Sequence, residues 1–326
     1  MNENSNTAAK AILNLSLDYG FQIILMLLLL GFTLAAPSFL RPDNIFGMLH
    51  SMAPITIIAA GMALIVMLGK LDISLGSIAL ASASVAALAM RDLGPAMHPA
   101  MAFLLALGVG ALLGTVNGFV VCILKVNPLI ATLGTMIAFR GIALQVTDSQ
   151  VIVLPDAVRG FGNWTLGPVF VDTLIAAALL LAVHLLHRET PFGRTVTAIG
   201  NDETTAGRVG LPTTRTVFAC FILSGMLAAT GGFLAAAQTG SVTTFLGRGV
   251  EFVAVAVVVV GGISLFGGRG NILSGVALGA ATFEIIRSGL NYVGANPYSY
   301  QLIGGVIIYV AMYASSLKDR RGGALR

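Results

Sequence analysis

Long, almost uncharged apolar runs, separated by short polar stretches, leave this chain few ways to fold. The runs lie at about residues 20–36, 49–69, 73–90, 99–124, 128–147, 169–187, 215–237, 250–262, 272–290 and 300–317. A hydrocarbon core of about 30 Å takes roughly 20 apolar residues at about 1.5 Å rise each. Most of the runs reach that length; the eighth is short, a half-helix or part of a merged crossing. The expected fold is an all-α polytopic membrane protein of about ten transmembrane helices, with residues 1–326 forming a single transmembrane domain. Composition agrees, since 10% of residues are charged, against about 25% in a soluble domain. The 39 glycines suit helices that approach closely in lipid.

Lysine and arginine set the expected orientation. With the N-terminus in the cytoplasm, twelve basic residues fall inside (Lys10, Lys70, Lys125, Arg188, Arg194, Arg208, Arg215, Arg269, Lys318, Arg320, Arg321 and Arg326) and four outside (Arg41, Arg91, Arg159 and Arg248). Arg140 and Arg287 lie within spans. Both termini are therefore expected inside: residues 1–19 as a polar tail with an amphipathic stretch at 11–17, and residues 318–326 as a basic tail. The N-terminus lacks the basic, apolar, small-residue order of a cleaved signal peptide. The net charge of +4 is accounted for by these loops, so no nucleic-acid partner is called for.

No residue pattern points to catalysis. The four histidines, His50, His98, His184 and His187, sit at loops or helix ends without a partnering motif. Cys122 and Cys220 form no Cys-x-x-Cys and suggest neither disulfide nor metal. Gly69-Lys70 is followed by Leu71, so there is no phosphate-cradling loop. The chain is expected to bind no cofactor and to be no enzyme.

The stretch 188–214, between the sixth and seventh spans, is the most informative. Asn201 or Asp202 can cap a short helix running to about Val209, with Glu203 in the first turn, where the helix dipole favours an acid. Gly210 and Pro212 would end it. A short helix held at the membrane surface between two spans offers a docking face for a soluble partner.

This segment resembles the cytoplasmic motif of bacterial ABC-importer permeases of the ribose/arabinose/xylose type. It matches at Gly193, Arg194, Ala198, Gly200, Ala206 and Gly210, and departs at Asn201, Asp202 and Thr205, with Arg208 one place late. Gly69-Lys-Leu-Asp-Ile-Ser-Leu-Gly-Ser77, Asn127-Pro-Leu-Ile-Ala-Thr-Leu-Gly-Thr135 with Arg140-Gly141, Gly249-Val-Glu-Phe252 and Gly261-Gly-Ile-Ser-Leu-Phe-Gly-Gly-Arg-Gly270 resemble further motifs of that family, in the same order. Lys70 stands where the family has glycine, and Val253 where it often has aspartate.

The resemblance implies the permease subunit of a binding-protein-dependent monosaccharide importer in the bacterial plasma (inner) membrane. It implies a second permease chain, identical or homologous, a cytoplasmic ATPase that holds ATP and Mg, and a periplasmic or extracellular sugar-binding protein. The ATPase contacts would fall on Gly193, Arg194, Gly200, Asn201, Asp202, Glu203, Ala206, Arg208 and Gly210. A sugar path suits neutral polar residues, which exchange hydrogen bonds with hydroxyls without holding them: Asn117, Asn127, Thr132, Thr135, Gln145, Gln238, Ser264 and Asn291. The charged residues Asp72, Arg140, Glu251, Glu284 and Arg287 read as structural, with Glu284 and Arg287 spaced as an ion pair on one helix face. The alternatives are a nucleoside or a sugar-like signal as cargo, and an ion-coupled secondary transporter, which would use a mid-membrane acid and broken helices.

Overall fold

The computed structural model describes residues 25–36, 38–94, 97–296, 299, 302–306 and 309. The expected tails at 1–19 and 318–326, the stretch 11–17 and most of the expected span 300–317 lie outside them. The described helices are α1 (Leu25–Ala35), α2 (Pro42–Met67), α3 (Leu75–Leu93), α4 (Pro99–Cys122), α5 (Pro128–Val146), α6 (Asp156–Gly162), α7 (Val171–Glu189), α8 (Pro191–Asn201), α9 (Glu203–Arg208), α10 (Thr213–Thr239), α11 (Val250–Val260) and α12 (Ile272–Tyr292). Two short antiparallel pairs complete them, β1 (Ile152–Val153) with β4 (Ser241–Val242), and β2 (Thr165–Leu166) with β3 (Val169–Phe170).

Among the described residues seven helices (α2, α3, α4, α5, α7, α10 and α12) are long and apolar enough to cross a membrane. They fall on seven of the ten expected spans. The described part of the first span is α1, and the eighth span appears as the shorter α11. All-α polytopic architecture thus holds; the described residues carry seven helices of crossing length, and most of the tenth expected span lies outside them.

Residues 49–280 form one compact unit. Its centre is α2, α3 and α10, buried along most of their length, whereas α4, α5 and α7 expose most of theirs. The close approach of α4 to α10 explains the Gly-x-x-x-Gly spacing: Gly110 faces the Gly225 backbone and Gly114 the Phe221 carbonyl, each with no room for a Cβ. Ala83 and Ala87 of α3, Ala102 and Ala106 of α4, and Phe233 and Ala237 of α10 share one core with Ile152 and Val242 of the β1·β4 pair.

α11 has 11 residues, about 16 Å of helix at about 1.5 Å per residue, half a hydrocarbon core. Its neighbours show how the chain still makes the passage. Gln238, at the end of α10, donates to the His50 carbonyl at 2.8 Å, and Val242 pairs with Ile152. Beyond α11, the Gly268 N–H donates to the Met67 carbonyl at 2.9 Å. His50 and Met67 lie on α2, about 26 Å apart along it at about 1.5 Å per residue. The chain therefore travels from the His50 end of the bundle to the Met67 end between residues 242 and 268, part as irregular backbone and part as α11. Irregular backbone at membrane depth needs protein or water around its polar groups. Arg140 of α5 supplies part of this, donating to the carbonyls of Thr244 and Leu246 at 3.3 Å each. Gly247, at φ 69°, packs against Gly76 at the start of α3 so closely that neither has space for a side chain.

The second compact unit comprises the described residues up to 48 and from 281 onward. Phe39, fully buried, packs its ring 5.7 Å from Phe32 and edge-on to Tyr292 at 5.8 Å. Asn44 donates to the Phe39 carbonyl at 2.6 Å, fixing the entry to α2. Arg287 grips Glu284 with two hydrogen bonds of 3.0 Å, the ion pair that their spacing implied.

Candidate functional site

Two short helices, rather than one, follow α7. Thr190 caps α8, its hydroxyl accepting the Gly193 N–H at 3.3 Å, with Pro191 opening the first turn. Thr-Pro is a helix-start signal, and it is legible in the sequence, yet only the second helix was expected there. That helix, α9, is capped by Asp202 as anticipated: its carboxylate accepts from the Thr205 N–H at 3.0 Å and the Thr205 hydroxyl at 2.7 Å. These bonds hold the Asp202 carboxyl below its usual range. Gly210, at φ 83°, ends α9, and the Leu211 N–H returns to the Ala206 carbonyl at 3.1 Å.

The expected contact residues divide between two faces. Arg194, Asn201, Asp202, Glu203, Arg208 and Gly210 are exposed, as is Val209, which sequence reasoning passed over. Gly193 and Ala206 are buried, and Gly200 is half-buried. A Cβ at Gly193 would overlap the His187 carbonyl, and one at Gly200 would overlap both the Met67 carbonyl and the Gly268 N–H. These three small residues let the helices sit down on the bundle; they do not form its outer surface.

Beside Gly200, three turns converge. Gly267, at φ 86°, has both the Gly200 carbonyl and the Gly69 N–H 2.7 Å from where a Cβ would stand. The end of α8, the turn after α2 and the glycine-rich turn after α11 thus touch backbone to backbone. Lys70 extends from the second of these turns to Glu203, Nζ to Oε2 2.8 Å; the lysine side chain is 14% exposed and the glutamate 51%.

Two residues after Lys70 begins a buried polar cluster. Asp72, with no exposed surface, accepts from the Ser74 N–H at 2.9 Å and the Ser74 hydroxyl at 2.6 Å. Asn117 of α4 donates to Ser74 Oγ at 2.7 Å and reaches the Asp72 carboxylate at 3.4 Å. Thr132 of α5 accepts the Ile73 N–H at 3.2 Å. Asp72 therefore braces the turn, as expected, through Ser74; Ser77 does not join it. Asn117 and Thr132, two of the residues expected on a sugar path, take part in this brace.

The remaining path candidates are scattered. Asn127 caps α5, accepting the Leu129 N–H at 3.0 Å. Thr135 bonds back to the Thr132 carbonyl at 3.3 Å, and Gln145 is exposed on α5. Ser264 accepts the Phe266 N–H at 3.3 Å in the glycine-rich turn. Asn291 is exposed near the end of α12, in the other compact unit. Gln238 joins a tie that sequence reasoning missed: it donates to Asp172 at 2.5 Å, and His50 Nδ1 lies 2.8 Å from the same carboxylate. Glu251 sits in the first turn of α11, as expected, with its carboxylate against Gly76.

A bundle of long apolar helices, with buried polar braces and a charged two-helix face at one end, defines a multi-pass α-helical membrane protein. The chain belongs to the family described as branched-chain amino acid transport system / permease component, whose model matches residues 44–312. It is 36% identical to the ribose import permease protein of Bacillus subtilis (strain 168) over 92% of each chain. It is 32% identical to the galactose/methyl galactoside import permease protein of Escherichia coli (strain K12), covering 96% of this chain and 98% of that one. Identity to the galactofuranose transporter permease protein of Escherichia coli (strain K12) is 33%, over 90% of this chain and 88% of the other. No solved structure matches the chain.

Proposed function

We propose that this chain is the membrane-spanning permease subunit of an ATP-driven, binding-protein-dependent importer of a monosaccharide in the bacterial plasma membrane. The observation that carries the reading is similarity over nine tenths of both chains to import permeases for ribose and for galactose. Likeness on that scale covers the helices and the two-helix face together, not a single motif.

In this reading residues 1–326 form one permease domain with ten crossings and both termini in the cytoplasm, the passage at 242–268 counting as one of the ten. Residues 188–214 are the coupling loop. Its exposed residues Arg194, Asn201, Asp202, Glu203, Arg208 and Gly210 meet a separate ATPase, which holds ATP and Mg, while Gly193, Gly200 and Ala206 set the depth at which α8 and α9 rest. A second permease chain completes the sugar path, drawing on the exposed sides of α4 and α5. A sugar-binding protein delivers the cargo at the opposite, outer face.

The test is uptake of D-ribose and of D-galactose into proteoliposomes holding this chain with a co-expressed ATPase and binding protein. ATP-dependent uptake of either sugar is expected. Uptake driven by an ion gradient through this chain alone would overturn the reading in favour of a secondary transporter.

A further inference from the structure

We propose that the ion pair between Lys70 and Glu203 is a coupling tether, through which the position of α9 is passed to the turn that braces α3, α4 and α5. The inference rests on the reading of α8 and α9 as the face that meets the ATPase, and it names the residues that carry motion inward from it.

Four observations make the case. First, the pair joins segments 133 residues apart in sequence at 2.8 Å, from the exposed first turn of α9 to a lysine largely sunk in the bundle. Second, Lys70 is anchored at its own backbone, its N–H bonding the Ile65 carbonyl at 3.1 Å, so a pull on its side chain acts on the end of α2. Third, Lys70 leads within two residues to Asp72, whose brace includes Ser74 before α3 and Asn117 of α4, while the intervening Ile73 N–H bonds Thr132 of α5. Fourth, a cavity of about 200 Å³ lies beside the pair, lined by Lys70, Glu203, Cys122, Lys125, Asn127 and Thr214 among others, and gives α9 room to move against the α4–α5 connection.

Backbone contact at Gly200, Gly267 and Gly69 works with the ion pair but differs from it in kind. Three glycine surfaces in contact resist compression and have little to oppose separation. A salt bridge holds in tension, because its attraction acts across a gap. The two together make the α9 junction respond both to a push from the partner below and to its withdrawal.

Lys70 and Glu203 are positioning residues, and a structural role alone would lower uptake and ATP hydrolysis together. The experiment therefore measures D-ribose and D-galactose entry and phosphate release in the same proteoliposomes, with ATPase and binding protein present. Lys70→Glu is expected to raise ATP consumed per sugar several-fold with the ATPase still co-purifying, and Glu203→Lys, at a residue that also faces the ATPase, is expected to raise the same ratio in the complexes that remain assembled. The exchanged pair Lys70→Glu with Glu203→Lys is expected to return most of that ratio. If reversal lowers the amount of chain in the membrane, Lys70→Met keeps the buried stem without the charge and carries the same expectation. An unchanged ratio in the single variants, or no recovery in the exchanged pair, overturns the tether while leaving the importer intact. Absence of ATP-driven uptake by the unaltered complex overturns both, and is distinguishable because it needs no variant.

Discussion

His50 Nδ1 lies 2.8 Å from the carboxylate of Asp172, a side chain with no exposed surface, and the imidazole stacks on Phe170 with ring centroids 4.0 Å apart. With Gln238 donating to the same carboxylate, this contact fastens one end of α2, α7 and α10 together. Removing Asp172 leaves two half-buried partners, His50 and Gln238, short of an acceptor. Asp172→Ala is expected to cost about 2 kcal/mol, in the range for hydrogen bonds to a charged group. Thermal unfolding of the purified chain in detergent measures it, and Gln238→Ala, which leaves the His50 contact, should cost less.

Asp72 and Asn117 belong to one network, so their removal should not add. Asp72→Ala leaves the Ser74 N–H and the Asn117 amide short of an acceptor, and once it is gone Asn117→Ala has less left to lose. A double-mutant cycle on thermal stability is expected to give a coupling of about 0.5–3 kcal/mol. Simple additivity would show that the 3.4 Å approach carries no interaction.

The two faces of the α8–α9 pair make opposite expectations. Gly200→Glu places a side chain where the Met67 carbonyl and Gly268 N–H already stand, and it should lower the amount of folded chain. Arg208→Glu and Val209→Asp, both exposed, should leave folding intact and weaken co-purification with the ATPase. Comparing membrane level with ATPase recovery for the three variants separates the effects.

Asp202 makes α9 tolerant of acid. Its folded carboxyl is held down first by the Thr205 hydroxyl and then by the Thr205 N–H. A depressed folded value means that the cap's contribution is fully present above the unfolded value, about 3.9, and is lost only as pH falls through the folded one. Amide exchange protection in α9, corrected for intrinsic exchange, should be flat from about pH 5 to 8, above the carboxylate range, and should drop in Asp202→Ala at every pH.

The passage at 242–268 is open to labelling. Single cysteines at Ser241 and at Phe266 should react with a membrane-impermeant maleimide from opposite sides of the bilayer. The native Cys122 and Cys220 are buried and should stay silent. Labelling of both from one side would mean that this segment turns back on itself.

The periodic signals were the easiest to read. Seven apolar runs became helices of crossing length because a bilayer demands about 20 residues, and nothing in their neighbourhood overrides that demand. The Asp202 cap, the Gly210 stop and the Glu284–Arg287 pair were legible because each depends on residues within one or two turns. The Lys70–Glu203 and His50–Asp172–Gln238 contacts were not, since they join segments 66 or more residues apart and carry no local mark. The bonds of neutral polar residues are hidden for a related reason: Asn117 and Thr132 look free in the sequence, and only packing shows that a buried turn uses them. Missing α8 was different, because Thr190-Pro191 announced it.

The mixed passage through residues 243–260 bears on how the molecule is made. A segment whose helix is 11 residues long has too little apolar length to partition into lipid by itself as it leaves the ribosome. Its irregular part is worse suited still, with carbonyls that in hydrocarbon would go without partners. Arg140 and Gly76, which receive it, are both synthesised earlier. This portion must therefore wait for α3 and α5 to be in place and enter against them. Biogenesis of this stretch is thus an act of assembly onto a template, not an independent insertion.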